Sequence, residues 1–412
     1  MRFIILFMAF FYSLYAKEAD AVLKIEKNVD NRAKISIIAS SDTIKSKLKK
    51  INELFISDLR LSGHFLPDRD IQTLNYTTPA LVLPTKSEYT LFYQLKRVNN
   101  QAVLDIKFYK GNPKKLLLRT NYSVSKLEKY PFLIHKAVSE INKAAGFPSV
   151  DWMNRYVVLS RYKGAKQTEI MLADYTFTYR KPIIKGGLNL FPKWADRAQK
   201  VLYYSNYNNK DNLLLNKVNI YSGAKSVVIK GKGMLACSDV SRDGSKLLLT
   251  MAPSSQPDIY LYQPGSLKRL TNFSGIDVGG KFANKEQNVV FVSNRLGNPN
   301  IYKMNIDGSN VVKIVHHGTN NGSVDAYDTQ VIYSSKENSR TYNIYLTDIN
   351  GEQTRPLTSG GINQFPRFSY DGKVLMYIKR TPSGNSIGFI NISANIGEIF
   401  NLGIDRIQSI DW

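Results

Sequence analysis

A short strand-forming phrase recurs over residues 153–412, and its spacing restricts the possible folds more than any other feature of the sequence. The apolar anchors of the six copies lie 43, 46, 42, 43 and 43 residues apart, at Ile170, Leu213, Ile259, Ile301, Ile344 and Ile387. A repeat of about 40 to 45 residues that consists only of strand segments is typical of the blades of a β-propeller. Six copies therefore predict six blades.

The third copy shows what one repeat contains. Residues 246–250 form an apolar run that fits a buried strand, and residues 258–263 alternate between apolar and polar side chains, as a neighbouring strand does. In the next copy, Asp307-Gly308 favours a two-residue hairpin turn, because both central residues of such a turn need positive φ. Each repeat is therefore expected to form a small antiparallel sheet.

The first repeat lacks the segment that precedes the apolar run in the other copies, and the end of the chain offers a replacement. Trp412 follows Phe368 by 44 residues, which is the phase of the repeat. We expect the C-terminal strand to complete the blade that begins near Tyr156, since closing the ring removes exposed sheet edges. The alternative is that Trp412 is a frayed end. The predicted propeller spans residues 153–412.

Residues 1–16 have the form of a secretory signal peptide. Arg2 precedes an apolar run of about ten residues, and the small Ala16 precedes Lys17. The run is too short to span a bilayer, which takes roughly 18 residues or more, and no later segment approaches that length. The sequence thus predicts an exported mature chain that starts at Lys17, with no transmembrane segment and no lipid anchor.

Residues 17–152 have a different pattern, which predicts an α/β domain. Helical spacing of apolar residues between Asp42 and Leu61 predicts one helix capped by Asp42, and a second helix is predicted to end at Gly146, where a linker begins. The predicted strands are residues 21–25, 34–38, 89–98, 103–109 and 116–124. The fold class is therefore an α+β N-terminal domain followed by an all-β six-bladed β-propeller.

The charge of the chain is strongly positive, at +23 from 56 Lys and Arg against 33 Asp and Glu, and its densest basic run is residues 45–50. Such a charge favours anionic surfaces, such as phospholipid head groups or acidic partners. The simpler interpretation is that lysines are spread over a solvated surface. Nucleic acid is not an expected partner, because the chain is predicted to be exported and has no recognition motif.

The sequence offers no catalytic or metal-binding residues. It has no Gly-x-Ser-x-Gly elbow and no glycine-rich phosphate loop. Of the four histidines, His64 and His135 have no Cys or carboxylate nearby at ligand spacing, and the adjacent His316 and His317 do not suit a two-histidine metal site, because neighbouring residues of a strand point in opposite directions. The single Cys237 fits a small buried side chain. We therefore predict that the protein is not an enzyme and holds no metal or cofactor. The alternative is a propeller enzyme or a carbohydrate-binding propeller.

The repeats resemble the blade phrase of the TolB family, the periplasmic components of the Tol–Pal system of Gram-negative bacteria. The matching segments are residues 241–246, 270–271, 293–297, 301–302 and 357–358. Residues 62–67 resemble the Ser-Gly-x-Phe motif that follows the first helix in the family, and the order of export signal, small domain and propeller is the same. The segments around Phe282 and Val324 depart from the family phrase.

The resemblance implies a periplasmic adaptor that links the outer-membrane lipoprotein Pal to the inner-membrane protein TolA, in outer-membrane invagination at cell division and in envelope integrity. It leaves other outer-membrane proteins open as further partners. The propeller loops that we expect to grip Pal contribute Asn272, Phe273, Asp277, Arg295, His316, His317, Asn320 and Asn363. The segment expected to pair with the C-terminal domain of TolA, as an added strand, is Lys17, Glu18, Ala19, Asp20, Ala21, Val22, Leu23, Lys24 and Ile25.

Overall fold

The structure is a computed structural model, and it describes residues 31–84, 87–209, 212–381, 384–403 and 407–412. The predicted signal peptide and the predicted TolA-binding segment lie outside the described residues. Residues from Ala33 to Trp412 form one compact unit. Neither of the two α-helices among the described residues has the length and apolar run that crossing a bilayer requires.

A mixed sheet and two helices form the first part of this unit. The strands are β1 (Ala33–Ser40), β2 (Phe65–Pro67), β3 (Gln72–Leu74), β4 (Tyr89–Val98), β5 (Gln101–Lys110) and β6 (Lys115–Val124), and the helices are α1 (Leu48–Leu61) and α2 (Tyr130–Ala144). The sheet order is β2-β1-β4-β5-β6, and β3 also pairs with β1. β1 runs parallel to β4, whereas β5 runs antiparallel to both β4 and β6.

Helix α1 begins later than the sequence predicts, and the expected cap at Asp42 is wrong. No side chain caps α1, whose first residue is Leu48. The segment before it is held to strand β4, because the Ile44 N–H donates to the Leu95 carbonyl at 3.0 Å and Thr43 Oγ1 accepts from the Leu95 N–H at 3.4 Å. The chain turns at Ser41 and Asp42, where the Thr43 N–H donates to the Ser40 carbonyl at 3.0 Å, and helical geometry starts only after a further 3-10 turn.

Six four-stranded sheets follow in the part of the chain that the structure describes. Their strands begin with β7 (Tyr156–Gly164), β8 (Gln167–Asp174), β9 (Arg180–Ile184), β10 (Asn189–Trp194), β11 (Val201–Asn209), β12 (Asn212–Asn219), β13 (Lys225–Gly231), β14 (Leu235–Val240), β15 (Leu247–Met251), β16 (Asp258–Gln263) and β17 (Ser266–Arg269). They continue with β18 (Asp277–Ala283), β19 (Asn288–Ser293), β20 (Asn300–Asn305), β21 (Val312–Lys313), β22 (Asn321–Tyr327), β23 (Gln330–Asn338), β24 (Thr341–Asp348), β25 (Arg355–Pro356), β26 (Ile362–Phe368), β27 (Val374–Thr381), β28 (Gly384–Asn391), β29 (Ile396–Asn401) and β30 (Ile407–Asp411).

Each of blades two to six consists of four consecutive strands, starting with β10, β14, β18, β22 and β26. The first blade has the order β30-β7-β8-β9, because β30 pairs antiparallel with β7 and sets Ile410 opposite Leu159. A single parallel bridge between Tyr342 and Ile362 also joins the fifth and sixth blades. The apolar strand of each blade lies between its neighbours, and all five residues of β15 are buried.

Trp412 packs where the first blade, the sixth blade and the N-terminal domain meet. Its ring lies 5.7 Å from that of Trp152 and 5.4 Å from that of Phe389, and it is buried. The largest hydrophobic core of the structure runs from the helices and the mixed sheet through these side chains into the two blades. The N-terminal domain and the propeller therefore share one core.

The antiparallel blades give the propeller two faces. The connections between successive blades and those between the second and third strands lie on one face, which we call the junction face. The remaining connections lie on the other, which we call the domain face, because the N-terminal domain contacts it. There, Asn391 Nδ2 donates to the carbonyls of Leu61 and Ser62 at 3.2 Å each, and the Lys373 ammonium donates to the Ser149 carbonyl at 3.0 Å.

A buried histidine joins the two domains. His135 of α2 contacts Asp58 of α1 at 2.6 Å through Nδ1 and Asp174, at the end of β8, at 3.2 Å through Nε2. The Tyr175 hydroxyl donates to the same Asp58 carboxylate. These side chains are fully buried. Sequence spacing indicates no carboxylate near His135, and the fold brings two to it from different elements.

Candidate functional site

All eight residues expected to grip Pal lie at the junction face, around the fourth to sixth blades. The first pair, Asn272 and Phe273, follows β17, and Arg295 follows β19. The connection between β21 and β22 contains His316, His317 and Asn320. Asp277 is the first residue of β18 and Asn363 the second of β26.

Arg295 is the centre of a compact group. Its Nη2 donates to both carboxylate oxygens of Asp277, at 3.0 and 2.8 Å, and its Nε donates to Ser293 Oγ at 2.9 Å. The guanidinium carbon lies 5.3 Å from the ring centre of Phe273 and 5.2 Å from that of Tyr302. Side chains of Arg and aromatic residues that are already held in place are frequent anchors of protein interfaces.

The two histidines of the neighbouring connection differ in their surroundings. His316 is exposed, whereas His317 is half-buried. The His317 ring centre lies 4.4 Å from that of Tyr345, and its Nδ1 lies 3.1 Å from the Tyr333 hydroxyl. Burial lowers the pKa of His317 below its ordinary value, and Glu337 opposes this only in part. The neutral ring therefore offers an aromatic surface at neutral pH.

Asp277 and Asn363 have no exposed surface, so their part at this face is to hold the loops. Burial raises the pKa of Asp277, against the hydrogen bonds from Ser293 and Arg295. The Asn363 amide donates to the carbonyls of Gly360 at 2.9 Å and Tyr342 at 3.0 Å. Residues at the start of the innermost strand of a blade, which is the strand nearest the centre of the ring, thus fix the connection that precedes that strand.

Sequence reasoning did not select Leu296, which is 72% exposed at the tip of the connection between β19 and β20. It follows Arg295 directly, so an exposed apolar side chain stands beside the half-buried Arg295 group. The signal was present in the sequence as an apolar residue between two turn-forming positions, Asn294 and Gly297. Such a residue has no role in a blade core.

The channel at the centre of the ring contains six charged residues, one from each innermost strand, that alternate in sign. They are Lys193, Asp239, Lys281, Asp325, Arg367 and Asp411, at steps of 46, 42, 44, 42 and 44 residues. The period of the repeat is the sequence signal for this pattern, because the charged residues recur at the spacing of the blades. Three cations and three carboxylates neutralise one another, so the ring is suited to joining blades.

The contacts of the ring repeat around the channel. The Lys193 ammonium lies 2.8 Å from Asp411 and 3.3 Å from Asp239, and the Lys281 ammonium lies 3.3 Å from Asp325. Each carboxylate also accepts a backbone N–H from the next blade at 2.9 Å, donated by Trp194, Phe282 and Phe368. Burial alone would lower the pKa of Lys193, but Asp411 and Asp239 outweigh it and raise that pKa.

Cys237 is buried in β14, which confirms its interpretation as a small core residue. Burial raises the pKa of its thiol to about 12, which makes it a poor nucleophile. Within the described ranges, no group of three or more His, Cys, Asp or Glu side chains is arranged to hold a metal ion.

A family profile described as "TolB beta propeller domain" matches residues 153–403. The Tol-Pal system protein TolB of Wolinella succinogenes is 36% identical over 433 residues, and the similarity covers 100% of both chains. This chain belongs to the TolB family. The Tol-Pal system protein TolB of Campylobacter jejuni (strain RM1221) is 38% identical over 417 residues, again with 100% of both chains covered. As a member of the TolB family, the chain is a component of the Tol-Pal system.

The crystal structure of TolB from Acinetobacter baumannii has the same fold. It superimposes with a TM-score of 0.74 at 19% sequence identity and covers 92% of this chain and 96% of that one. The TolB family resemblance, the α+β domain and the all-β propeller predicted from the sequence are thereby confirmed.

Proposed function

We propose that this TolB-family chain is a non-enzymatic periplasmic adaptor, which links Pal at the outer membrane to TolA for outer-membrane invagination in cell division and for envelope integrity. The observation that carries the proposal is the similarity to Tol-Pal system proteins over the whole chain. Turnover of envelope sugars or peptides by the purified protein would contradict it.

The junction face is the proposed contact surface for Pal. It combines the held guanidinium of Arg295, the half-buried rings of Phe273 and His317, and the exposed side chains of Leu296 and His316. A fixed cation beside aromatic and apolar groups suits a protein surface, because little side-chain entropy is lost when these groups are covered.

We expect Leu296→Asp to weaken binding to soluble Pal from the same organism at least about tenfold. The variant replaces an apolar side chain, which Pal would cover, by a carboxylate that loses its hydration in the interface. The substitution alters no internal contact of consequence, since the side chain is mostly exposed. Isothermal titration calorimetry measures the effect. A second variant, His316→Ala, tests the neighbouring connection.

The matched control is Arg242→Ala, because Arg242 is exposed on the domain face and its loss should leave Pal affinity unchanged. Unchanged affinity in both junction-face variants would mean that Pal binds elsewhere. Arg295→Ala is less informative by itself, since it also leaves the buried Asp277 without its cation.

The mature N-terminal segment, residues 17–25, is the proposed partner of the TolA C-terminal domain. Val22 and Lys24 alternate with Leu23 and Ile25, which suits addition to a sheet edge through backbone hydrogen bonds. A chain end is also easily released.

Deleting residues 17–23 should abolish binding to the TolA C-terminal domain and leave Pal binding intact, as measured by calorimetry with each partner. Replacement of the same residues by a Gly-Ser sequence of equal length controls for the position of the chain end and should behave like the deletion. Retained TolA binding in both variants would exclude this segment as the contact.

A further inference from the structure

We propose that the N-terminal domain carries a membrane-docking surface, the basic edge, which binds the anionic head groups of a phospholipid bilayer. The basic edge consists of seven cationic side chains from three separate segments: Lys45, Lys47, Lys49, Lys50, Arg97, Lys126 and Lys129. It is independent of the proposed contacts with Pal and TolA.

The topology of the mixed sheet brings the three segments together. β1 and β4 are parallel, and so are β4 and β6 through the antiparallel β5, so the ends of β1, β4 and β6 all lie at one edge of the sheet. Ile44, after β1, is hydrogen-bonded to Leu95 of β4 at 3.0 Å. The Lys47 ammonium lies 5.8 Å from the ring centre of Tyr130, which links the start of α1 to that of α2.

The edge has an excess of positive charge that nothing in the described structure neutralises. Five of its cations are exposed, and Lys47 and Lys129 are partly exposed. Among the described residues, none of the seven forms an ion pair, whereas nearby Lys96 is already paired with Asp105 at 2.8 Å. Only three acidic side chains lie in these segments, Asp42, Glu53 and Glu128, and neither helix has an acidic residue in its first turn.

The chemistry of this surface suits a bilayer. A lysine ammonium on its flexible side chain acts as a point charge and needs no fixed geometry. An arginine guanidinium, in contrast, binds a phosphate through two hydrogen bonds of fixed geometry. The edge consists of a hairpin tip and the first turns of two helices, so it presents protruding side chains to a planar partner. At the hairpin tip, Val98 is 42% exposed beside Arg97, and an apolar side chain next to a cation fits the boundary between head groups and acyl chains.

The test uses the full mature chain and vesicles in a flotation assay. Vesicles of phosphatidylcholine with about 30 mol% phosphatidylglycerol should bind the chain at about 0.1 M salt, and pure phosphatidylcholine should not. The variant with Lys45→Gln, Lys49→Gln and Lys50→Gln should lower the partition coefficient at least about tenfold, since each basic residue near an anionic surface adds to binding. The changes are on exposed side chains, and circular dichroism checks the fold.

The matched control removes the same three charges elsewhere, with Lys225→Gln, Lys230→Gln and Lys232→Gln around β13, where all three side chains are exposed. It should change the partition coefficient less than about twofold, because local charge density, and not net charge, determines the binding. Equal losses in both triple variants, or no binding of the wild-type chain to anionic vesicles, would overturn the proposal. Binding of polyglutamate through the same lysines without vesicle binding would also overturn it, in favour of an acidic protein partner.

Discussion

Replacing His135 by leucine is expected to lower the free energy of unfolding by about 3 to 5 kcal/mol. The variant leaves Asp58 and Asp174 fully buried without the imidazolium that lies 2.6 and 3.2 Å from them. Because these carboxylates belong to different domains, the loss also weakens the contact between the N-terminal domain and the first blade. Urea unfolding followed by tryptophan fluorescence measures the effect.

The same cluster gives the stability a defined pH dependence. Burial alone would lower the pKa of His135, but Asp58 and Asp174 outweigh it and raise the pKa to about 9. A group whose pKa is raised by folding stabilises the folded state to its full extent below its unfolded pKa, which is about 6.5 for histidine. This stabilisation is lost as the pH rises through the folded pKa of about 9. The wild-type chain should therefore lose on the order of 3 kcal/mol of stability over that window.

The matched control is His64→Leu. His64 also belongs to the N-terminal domain, but it is only half-buried, bonds to the neutral Asn142 amide at 2.8 Å and has no carboxylate partner in the described structure. Its loss should cost about 1 kcal/mol. Equal costs for the two histidine variants, or an alkaline loss of stability that persists in His135→Leu, would contradict the charged interdomain cluster.

Replacing Lys193 by methionine should also cost about 3 to 5 kcal/mol, because Asp411 and Asp239 would lose the cation between them inside the channel. The reason for the large effect is that the buried Asp411 carboxylate would keep, among the described residues, only the Trp194 N–H and no cation, and it cannot recover its hydration. Asp411 belongs to β30, the strand that completes the first blade, so the variant weakens the closure of the ring of blades. Urea unfolding measures the cost.

Two further variants test whether this cost arises from the charge pairs of the channel. Lys200→Met makes the same substitution at an exposed position of the same blade and should cost less than about 1 kcal/mol. Adding Asp411→Asn to Lys193→Met should cost less than the sum of the two single changes, since it removes both charges of one pair. Strict additivity would show that the ring contributes packing and no electrostatic coupling.

The blade period is a property that the sequence could reveal, because every repeat encodes the same alternation of buried and exposed positions. The anchors Ile259, Ile301 and Ile344 are fully buried in equivalent strands. The alternating charges of the channel obey the same period, so they too were accessible to sequence reasoning. Leu296 was accessible as well, as an apolar residue in a turn that no blade core can use.

Other features depended on contacts between distant segments. The late start of α1 follows from the hydrogen bonds of Thr43 and Ile44 to β4, and no property of the residues near Asp42 indicates them. Burial decided that Asp277 and Asn363 support the junction-face loops instead of presenting side chains to a partner.

The sequence by itself determined the repeat, the fold class and the family. The reason is that the alternation of strand residues and the turn residues are local features, and they recur in six copies. Only the tertiary structure decided which charges meet. His135 contacts Asp58 across 77 residues and Asp174 across 39, and the basic edge assembles from three segments of one domain. Electrostatic energy depends on distance in space and on burial, and neither quantity can be read from position along the chain.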